Sequence, residues 1–180
     1  MKTADRLLSA ALALIIACAA QTTPVPTQSA PPPEVSKTAG AVNGRWVGSM
    51  TARLPGLEPD HFPWEMTCSS AALGFGASCP MKGTASIGPV EEACLLAYDP
   101  EGKAIHFMCV TSMSEVHDHK GQWPGDRRIN FEPYRISISG HPATEDVTFE
   151  FPSPDRIQTT SVITAENGSR MTFEFSGSRR

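Results

Sequence analysis

Apolar and polar residues alternate with a period of two over the second half of the chain. Val147, Phe149 and Phe151 are separated by Thr148 and Glu150, for example. The same alternation recurs in three further segments, at 129–131, 135–138 and 171–176. Because neighbouring side chains of a strand point to opposite faces, this pattern predicts strands with one buried and one exposed face.

Turn signals separate these segments and complete an all-β prediction. Asn167-Gly168 is a strong hairpin signal. A second turn is predicted from Asp99 to Gly102, with Gly102 in the left-handed conformation. No amphipathic helix is predicted after the N-terminal apolar run. Short strands joined by tight turns favour a closed antiparallel barrel of about 8–10 strands in up-and-down order, free of Greek-key crossings.

The N-terminus has the layout of an export signal. Lys2 and Arg6 precede an apolar run at 7–20 that is too short to span a bilayer comfortably. The segment 15–18, Ile-Ile-Ala-Cys, resembles the lipobox of bacterial lipoproteins. That resemblance implies a signal peptide over 1–18 and lipid attachment at Cys18, which would anchor the protein to a membrane. Ordinary signal-peptide cleavage near the same small residues is the alternative.

The composition changes after Cys18. Residues 19–42 are rich in Thr, Pro, Ser and Ala, so they have little to bury and are predicted to form a disordered tether. Residues 43–180 are predicted to form one barrel domain. Among bacterial lipoproteins, the non-acidic Ala19 implies the outer membrane, facing the periplasm. Without lipidation the protein would be secreted.

The chain has five cysteines, and lipidation of Cys18 would leave an even set for disulfides. If Ser70 faces Ala77, Cys68 lies opposite Cys79 and the two can bond.

The other two cysteines, Cys94 and Cys109, are less certain partners. They share a face, offset by two residues, if Tyr98 pairs with Lys103. A bulge at Gly102 would send them to opposite faces, so this second pairing stays open. Metal binding by the four cysteines is a lesser alternative, because no C-x-x-C pair is present.

The segment Gly44-Arg45-Trp46-Val47-Gly48 resembles the first-strand signature of lipocalin-like (calycin) barrels. This group includes the nitrobindin-like proteins and the uncharacterised DUF1579 family. The segments 96–99, 103–111 and 113–123 also resemble DUF1579, the nearest of these families. The resemblance implies a lipocalin-like barrel in which Trp46 plugs one end of the core. Nitrobindin-like proteins hold haem through a histidine near their C-terminal strands, but the last histidine here is His141, so no cofactor is expected.

A barrel of this size can enclose one small apolar ligand. The predicted ligand-binding residues point inward from several strands and are Trp46, Met50, Trp64, Phe107 and Phe131. The same residues could instead fill the core. The chain would then be a structural domain or a protein-interaction module, such as a hydrolase inhibitor, presenting the loop 73–76 to a protein partner of unknown identity.

Chemistry-bearing clusters are few. His117 and His119 share one face of a strand with His106 near by, which could hold zinc or copper, but no third ligand is identifiable. We therefore predict a polar, exposed strand end and no metal site. The acidic pairs 91–92 and 145–146 are likewise interpreted as solvated strand ends.

No catalytic motif is found, so the chain is predicted not to be an enzyme and to have no catalytic residues. Its net charge is −4, and no basic stripe favours nucleic acid.

Overall fold

The protein's structure, a computed structural model, describes residues 30–138 and 140–180. Cys18, the predicted signal peptide and the first part of the predicted tether, 19–29, lie outside these residues. The described chain forms one compact unit, Pro31–Arg180. It contains one α-helix, α1 (Pro33–Val42), a 3-10 turn at Ala72–Gly74, and eleven strands. The strands are β1 (Gly44–Arg53), β2 (Asp60–Ala71), β3 (Gly76–Ala85), β4 (Gly88–Asp99), β5 (Ala104–Thr111), β6 (Val116–Gln122), β7 (Arg128–Phe131), β8 (Tyr134–Ile138), β9 (His141–Ser153), β10 (Arg156–Ala165) and β11 (Arg170–Arg179).

All neighbouring strands are antiparallel and most follow one another in sequence, as predicted. Strands β1 to β7 are paired in order, β7 pairs with β9, and β9, β10 and β11 follow. Pairing of β11 with β1 closes the barrel, with Trp46 opposite Arg179 at one end and Arg53 opposite Thr172 at the other. The fold is therefore a closed up-and-down barrel of the lipocalin-like type with ten positions in its wall and one additional strand.

The additional strand arises because one wall position is broken in two. Strands β7 and β8 both pair with β9, at Arg128 opposite Glu150 and at Tyr134 opposite Glu145. The break falls at Pro133, which has no backbone N–H to give to a ladder. Only β7 is paired with β6, so β8 lies beside β6 without a ladder between them in the described chain. We call this place, between 116–119 of β6 and 134–138 of β8, the seam.

Helix α1 is a difference from the sequence prediction, which extended the disordered tether to residue 42. Pro33 lies in the first turn of the helix, where its missing N–H costs nothing. The buried face of the helix includes Val35, Ala39 and Val42. This apolar stripe has only three residues within a Pro- and Ala-rich segment, and tertiary packing rather than propensity stabilises so short a helix.

The end of the barrel beside α1 is closed by Trp46, as the resemblance implied. Its side chain is fully buried, and its Nε1 donates a hydrogen bond to the carbonyl of Val42 at 2.6 Å. The guanidinium of Arg179 lies 4.4 Å from the centre of the indole ring. Helix, first strand and last strand therefore meet at one residue.

The four remaining cysteines form two disulfides inside the barrel, Cys68–Cys79 and Cys94–Cys109. The first follows the predicted register, with Ser70 opposite Ala77. In the second hairpin Tyr98 pairs with Ile105 instead of Lys103, so Cys94 and Cys109 are directly opposite and not offset.

The turn between β4 and β5 explains that change of register. Asp99 accepts hydrogen bonds from the N–H groups of Glu101 and Gly102. The left-handed residue is Lys103, at φ 50°, and not Gly102 as predicted. Four loop residues, 100–103, therefore connect the strands. The hairpin at Asn167-Gly168 is confirmed, with Gly168 at φ 83°.

Among the described residues, no helix is long and apolar enough to cross a membrane.

Candidate functional site

A cluster of polar side chains lies inside the otherwise apolar barrel, next to the seam. His117 and His119 point inward from β6, and Glu145 points inward from β9. The Oε2 atom of Glu145 lies 2.6 Å from Nδ1 of His117 and 3.1 Å from Nε2 of His119. The other carboxylate oxygen, Oε1, accepts a hydrogen bond from Oγ of Ser161 on β10 at 2.5 Å. We call Glu145, the two histidines and Ser161 the polar cluster.

Glu145 is charged in spite of its burial. Burial by itself would raise its pKa, but the hydrogen bonds from His117, His119 and Ser161 outweigh that effect and lower the pKa to about 2. A carboxylate in that state can only accept hydrogen bonds, so the imidazole nitrogens facing it carry the protons.

Two further groups respond to this charge. Burial opposes protonation of His117, yet the contact with Glu145 raises its pKa above the ordinary value. The pKa of Glu92 on β4 is also raised, to about 7, chiefly by burial; His117 opposes the shift, while the carboxylates of Glu145 and Glu115 add to it. The buried carboxylate of Glu145 therefore changes the pKa of both neighbouring groups.

Aromatic rings surround the polar cluster. The ring of Tyr134, on β8, lies 5.2 Å from that of His119 and 6.5 Å from that of His117 between centroids. Phe107 stacks on His119 at 6.4 Å, and Phe131 contacts both at 5.6 and 6.2 Å. Tyr134 is half-buried at the seam, so this aromatic wall extends from the core to the place where the barrel wall is unpaired.

The five predicted ligand-binding residues are all buried in one hydrophobic core, at different places along the barrel. Phe107 and Phe131 belong to the aromatic wall beside the seam. Trp46 plugs the opposite end, while Met50 and Trp64 lie on β1 and β2. Two cavities of about 450 Å³ each are found on the described chain, and none of the five residues lines either of them.

The histidine prediction is wrong about exposure. His117 and His119 are 8% and 1% exposed, so they are core residues and not a solvated strand end. His106 points to the other face of the barrel wall and contacts Asp118 at 3.0 Å. Because neighbouring residues of a strand face opposite ways, the sequence His-Asp-His divides into an interior pair and an exterior acid.

Glu145 was missed for a related reason. The sequence predicts a solvated strand end at 145–146, but Glu145 is buried while Asp146 is exposed. The alternation of Val147, Phe149 and Phe151 extends backward to 145 at the same period, so the glutamate occupies an inward position. That phase was the signal that could have identified it. Ser161 gives no comparable signal, because its position depends on the pairing of β9 with β10.

The loop at 73–76, in which the sequence predicts an exposed aromatic side chain, exposes an aliphatic one instead. Leu73, at φ 56° in the 3-10 turn, is 79% exposed, whereas Phe75 is half-buried. Other apolar side chains lie on the outer wall of the barrel, where Leu95 faces Met108 on the neighbouring strand.

Two solved structures resemble this barrel. The M. tuberculosis protein Rv2717c is 12% identical over 84% of this chain and 99% of its own, with a TM-score of 0.61. The S-type phycobiliprotein lyase CPES from Guillardia theta is 11% identical over 82% of this chain and 93% of its own, with a TM-score of 0.54. No protein-family model and no curated protein matches the sequence. At these identities the likeness establishes the fold, a closed lipocalin-like β-barrel, while the nearer resemblance to DUF1579 stays a prediction.

Proposed function

We propose that this chain is an exported, lipid-anchored binding protein of the bacterial envelope that takes a small, largely apolar molecule into its barrel at the seam. The observation that carries the proposal is the aromatic wall of Phe107, Phe131 and Tyr134 beside buried polar groups. Ligand sites combine apolar and aromatic walls with a few fixed polar groups in this way. Fold likeness alone transfers no activity, and we propose no enzymatic role.

The seam is the place where such a molecule would enter. Its two sides are held by side-chain packing and not by a ladder, so separating them breaks no backbone hydrogen bond between β6 and β8. A polar group of the ligand would reach Nδ1 of His119, which is buried and has no hydrogen-bond partner in the described chain. The apolar part would rest against Tyr134.

Native mass spectrometry of the purified protein tests this proposal. We expect a co-purifying small molecule at one per barrel, lost in Phe131→Trp, which fills the seam end of the core. Met50→Leu, a volume-conserving change on β1, should retain it. A clean apo mass, together with no binding of the fluorescent probe 8-anilino-1-naphthalenesulfonate to the folded protein, would contradict the proposal.

The anchor is proposed on the lipobox resemblance, with Ala19 favouring the outer membrane. Expression of the full chain in a bacterium with labelled palmitate should give a labelled protein in the membrane fraction. Cys18→Ala should remove the label and move the protein out of that fraction. Unlabelled wild-type protein would exclude lipidation and leave the barrel proposal standing.

A protein-interaction module is the second candidate, favoured by the exposure of Leu73. Ile87, on the turn between β3 and β4, is equally exposed at 79% and provides a matched control. If the loop binds a partner, cross-linking of that partner should be lost in Leu73→Ser and retained in Ile87→Ser. Equal loss in both variants, or in neither, would argue against the loop.

A further inference from the structure

The geometry of the polar cluster suggests more than a hydrogen-bonding site. His117 and His119 are two residues apart on one strand, so both imidazoles lie on the same inner face. Glu145 reaches the same point from β9, on the other side of the seam. One nitrogen from each histidine and one oxygen from the glutamate lie within 4.8 Å of one another. Tetrahedral zinc holds its ligand atoms roughly 3.3 Å apart, so the three atoms converge at the spacing of a metal site.

Two of the three groups have an outer partner of the kind that surrounds bound metals. The second oxygen of Glu145 accepts the hydrogen bond from Ser161. Nε2 of His117 lies 3.4 Å from Oε2 of Glu115, at the start of β6. Metal-bound histidines and carboxylates are characteristically oriented by such second partners.

Without an ion, the arrangement leaves hydrogen-bonding capacity unused. Both imidazoles direct an N–H to one carboxylate oxygen, and Nε2 of His117 and Nδ1 of His119 are then buried without a hydrogen-bond partner among the described residues. A cation at the centre would take the inner nitrogens as ligands and move the protons to the outer ones. Nε2 of His117 would then donate a hydrogen bond toward Glu115, so this buried nitrogen would gain a partner.

The charges around the cluster also suit a divalent ion. Glu145 supplies one negative charge at the centre, and the carboxyl groups of Glu115, directly before β6, and Glu92, on β4, lie close by. No lysine or arginine contacts the cluster in the described chain. Two imidazoles and one carboxylate favour zinc and other first-row transition metals over magnesium or calcium, which prefer oxygen ligands.

We propose that His117, His119 and Glu145 bind one divalent transition-metal ion of the zinc type inside the barrel, with a fourth coordination position left open. This site goes beyond the small-molecule function proposed above and does not depend on it. The polar cluster would bind the ion whether or not an apolar molecule enters at the seam.

Zinc titration of the purified, chelator-treated protein tests the site. We expect the wild type to bind one zinc per chain. In Glu145→Gln and His117→Gln the zinc affinity should fall by more than about 100-fold, which exceeds the loss caused by removing only a residue that orients a ligand. Ser161→Ala should weaken binding by about 10-fold. His106→Gln is the matched control, because it removes a histidine that contacts a carboxylate on the outer face of the same strand pair, and it should bind as the wild type does.

Cobalt provides a readout that does not depend on stability. One equivalent of Co²⁺ should give the visible absorption of a four- or five-coordinate nitrogen and oxygen site, retained in His106→Gln and Ser161→Ala. Its absence from the folded wild-type protein would overturn the proposal. So would zinc binding that is lost in His106→Gln and unchanged in Glu145→Gln, since the ion would then be on the surface.

Discussion

Cys79 and Cys94 face each other across β3 and β4, yet each is bonded to a cysteine on its other side. In an antiparallel ladder, opposite residues alternate between a wide hydrogen-bonded pair and a close non-hydrogen-bonded pair. The bonded pairs have Cα separations of 4.1 and 4.2 Å, which are typical of the close position. The N–H and C=O groups of a strand residue both point to the same neighbouring strand, so a residue in a close pair on one side is in a wide pair on the other. Cys79 and Cys94 therefore form a wide pair, with a Cα separation of about 5.5 Å.

Peptide mapping without reduction checks this pairing. Trypsin should release 54–82 with Cys68 and Cys79 bonded internally, and 83–103 linked to 104–120 through Cys94 and Cys109. A link between 54–82 and 83–103 would mean that the middle pair had formed instead. No such product is expected from the oxidised, folded protein.

Removing the first bridge should destabilise the barrel without dissolving it. The double variant Cys68→Ala, Cys79→Ala releases a short loop, and its free energy of unfolding should fall by about 3 kcal/mol. Chemical denaturation of oxidised wild type and variant measures the difference. If reducing agent then lowers the stability of the variant as much as that of the wild type, the first bridge contributes little.

The second glycine of the first-strand motif should be intolerant of any side chain. A Cβ on Gly48 would lie 1.9 Å from the carbonyl oxygen of Ser176 on β11. Gly48→Ala should therefore cost about 3 kcal/mol or more, or prevent barrel closure. Gly125→Ala is the control, because nothing lies within 4 Å of its added Cβ. Its free energy of unfolding should change by about 0.5 kcal/mol or less. Similar melting temperatures for the two variants would contradict the close approach.

A hydrogen bond between Trp123 and Thr38 should help to hold helix α1 on the barrel, in addition to that of Trp46 with Val42 and the apolar face of the helix. Nε1 of Trp123 donates to Oγ1 of Thr38 at 3.0 Å. Thr38→Val keeps the shape and leaves the indole N–H unpaired, which should cost about 1–3 kcal/mol. Ser36→Ala, an exposed change on the same helix, should stay within about 0.5 kcal/mol of wild type. Equal stabilities for Thr38→Val and Ser36→Ala would show that the hydrogen bond contributes nothing to docking.

The motif Gly44-x-Trp46-x-Gly48 illustrates how much of the fold could be predicted from the sequence. Each of its three named residues suits its position for a different physical reason. Gly44 has φ 123°, Trp46 is fully buried, and Gly48 lies against the backbone of β11. The period-two alternation predicted the strands, because the apolar side chain at every second position of a strand faces the core. Helix α1 was missed because its buried stripe is short and lies among prolines.

The polar cluster could be predicted only in part. The spacing of His117 and His119 placed them on one face, but which face was buried depended on the register of β6 with β5. Glu145 is 26 residues from His119 in sequence, and the two meet only because β9 pairs with the broken wall position. Long-range pairings of this kind leave little trace in local sequence, although the phase of β9 did carry one.

Both disulfides fall within four consecutive strands, β2 to β5, so one half of the barrel is cross-linked by disulfides and the other half is not. The bridges join β2 to β3 and β4 to β5, whereas β1 and β6 to β11 are held by ladders and packing alone. Local opening of the barrel wall is therefore expected to start at β6 and β8, with amide hydrogen exchange faster there than on β3 and β4. The half that can open is also the half that carries His117 and His119.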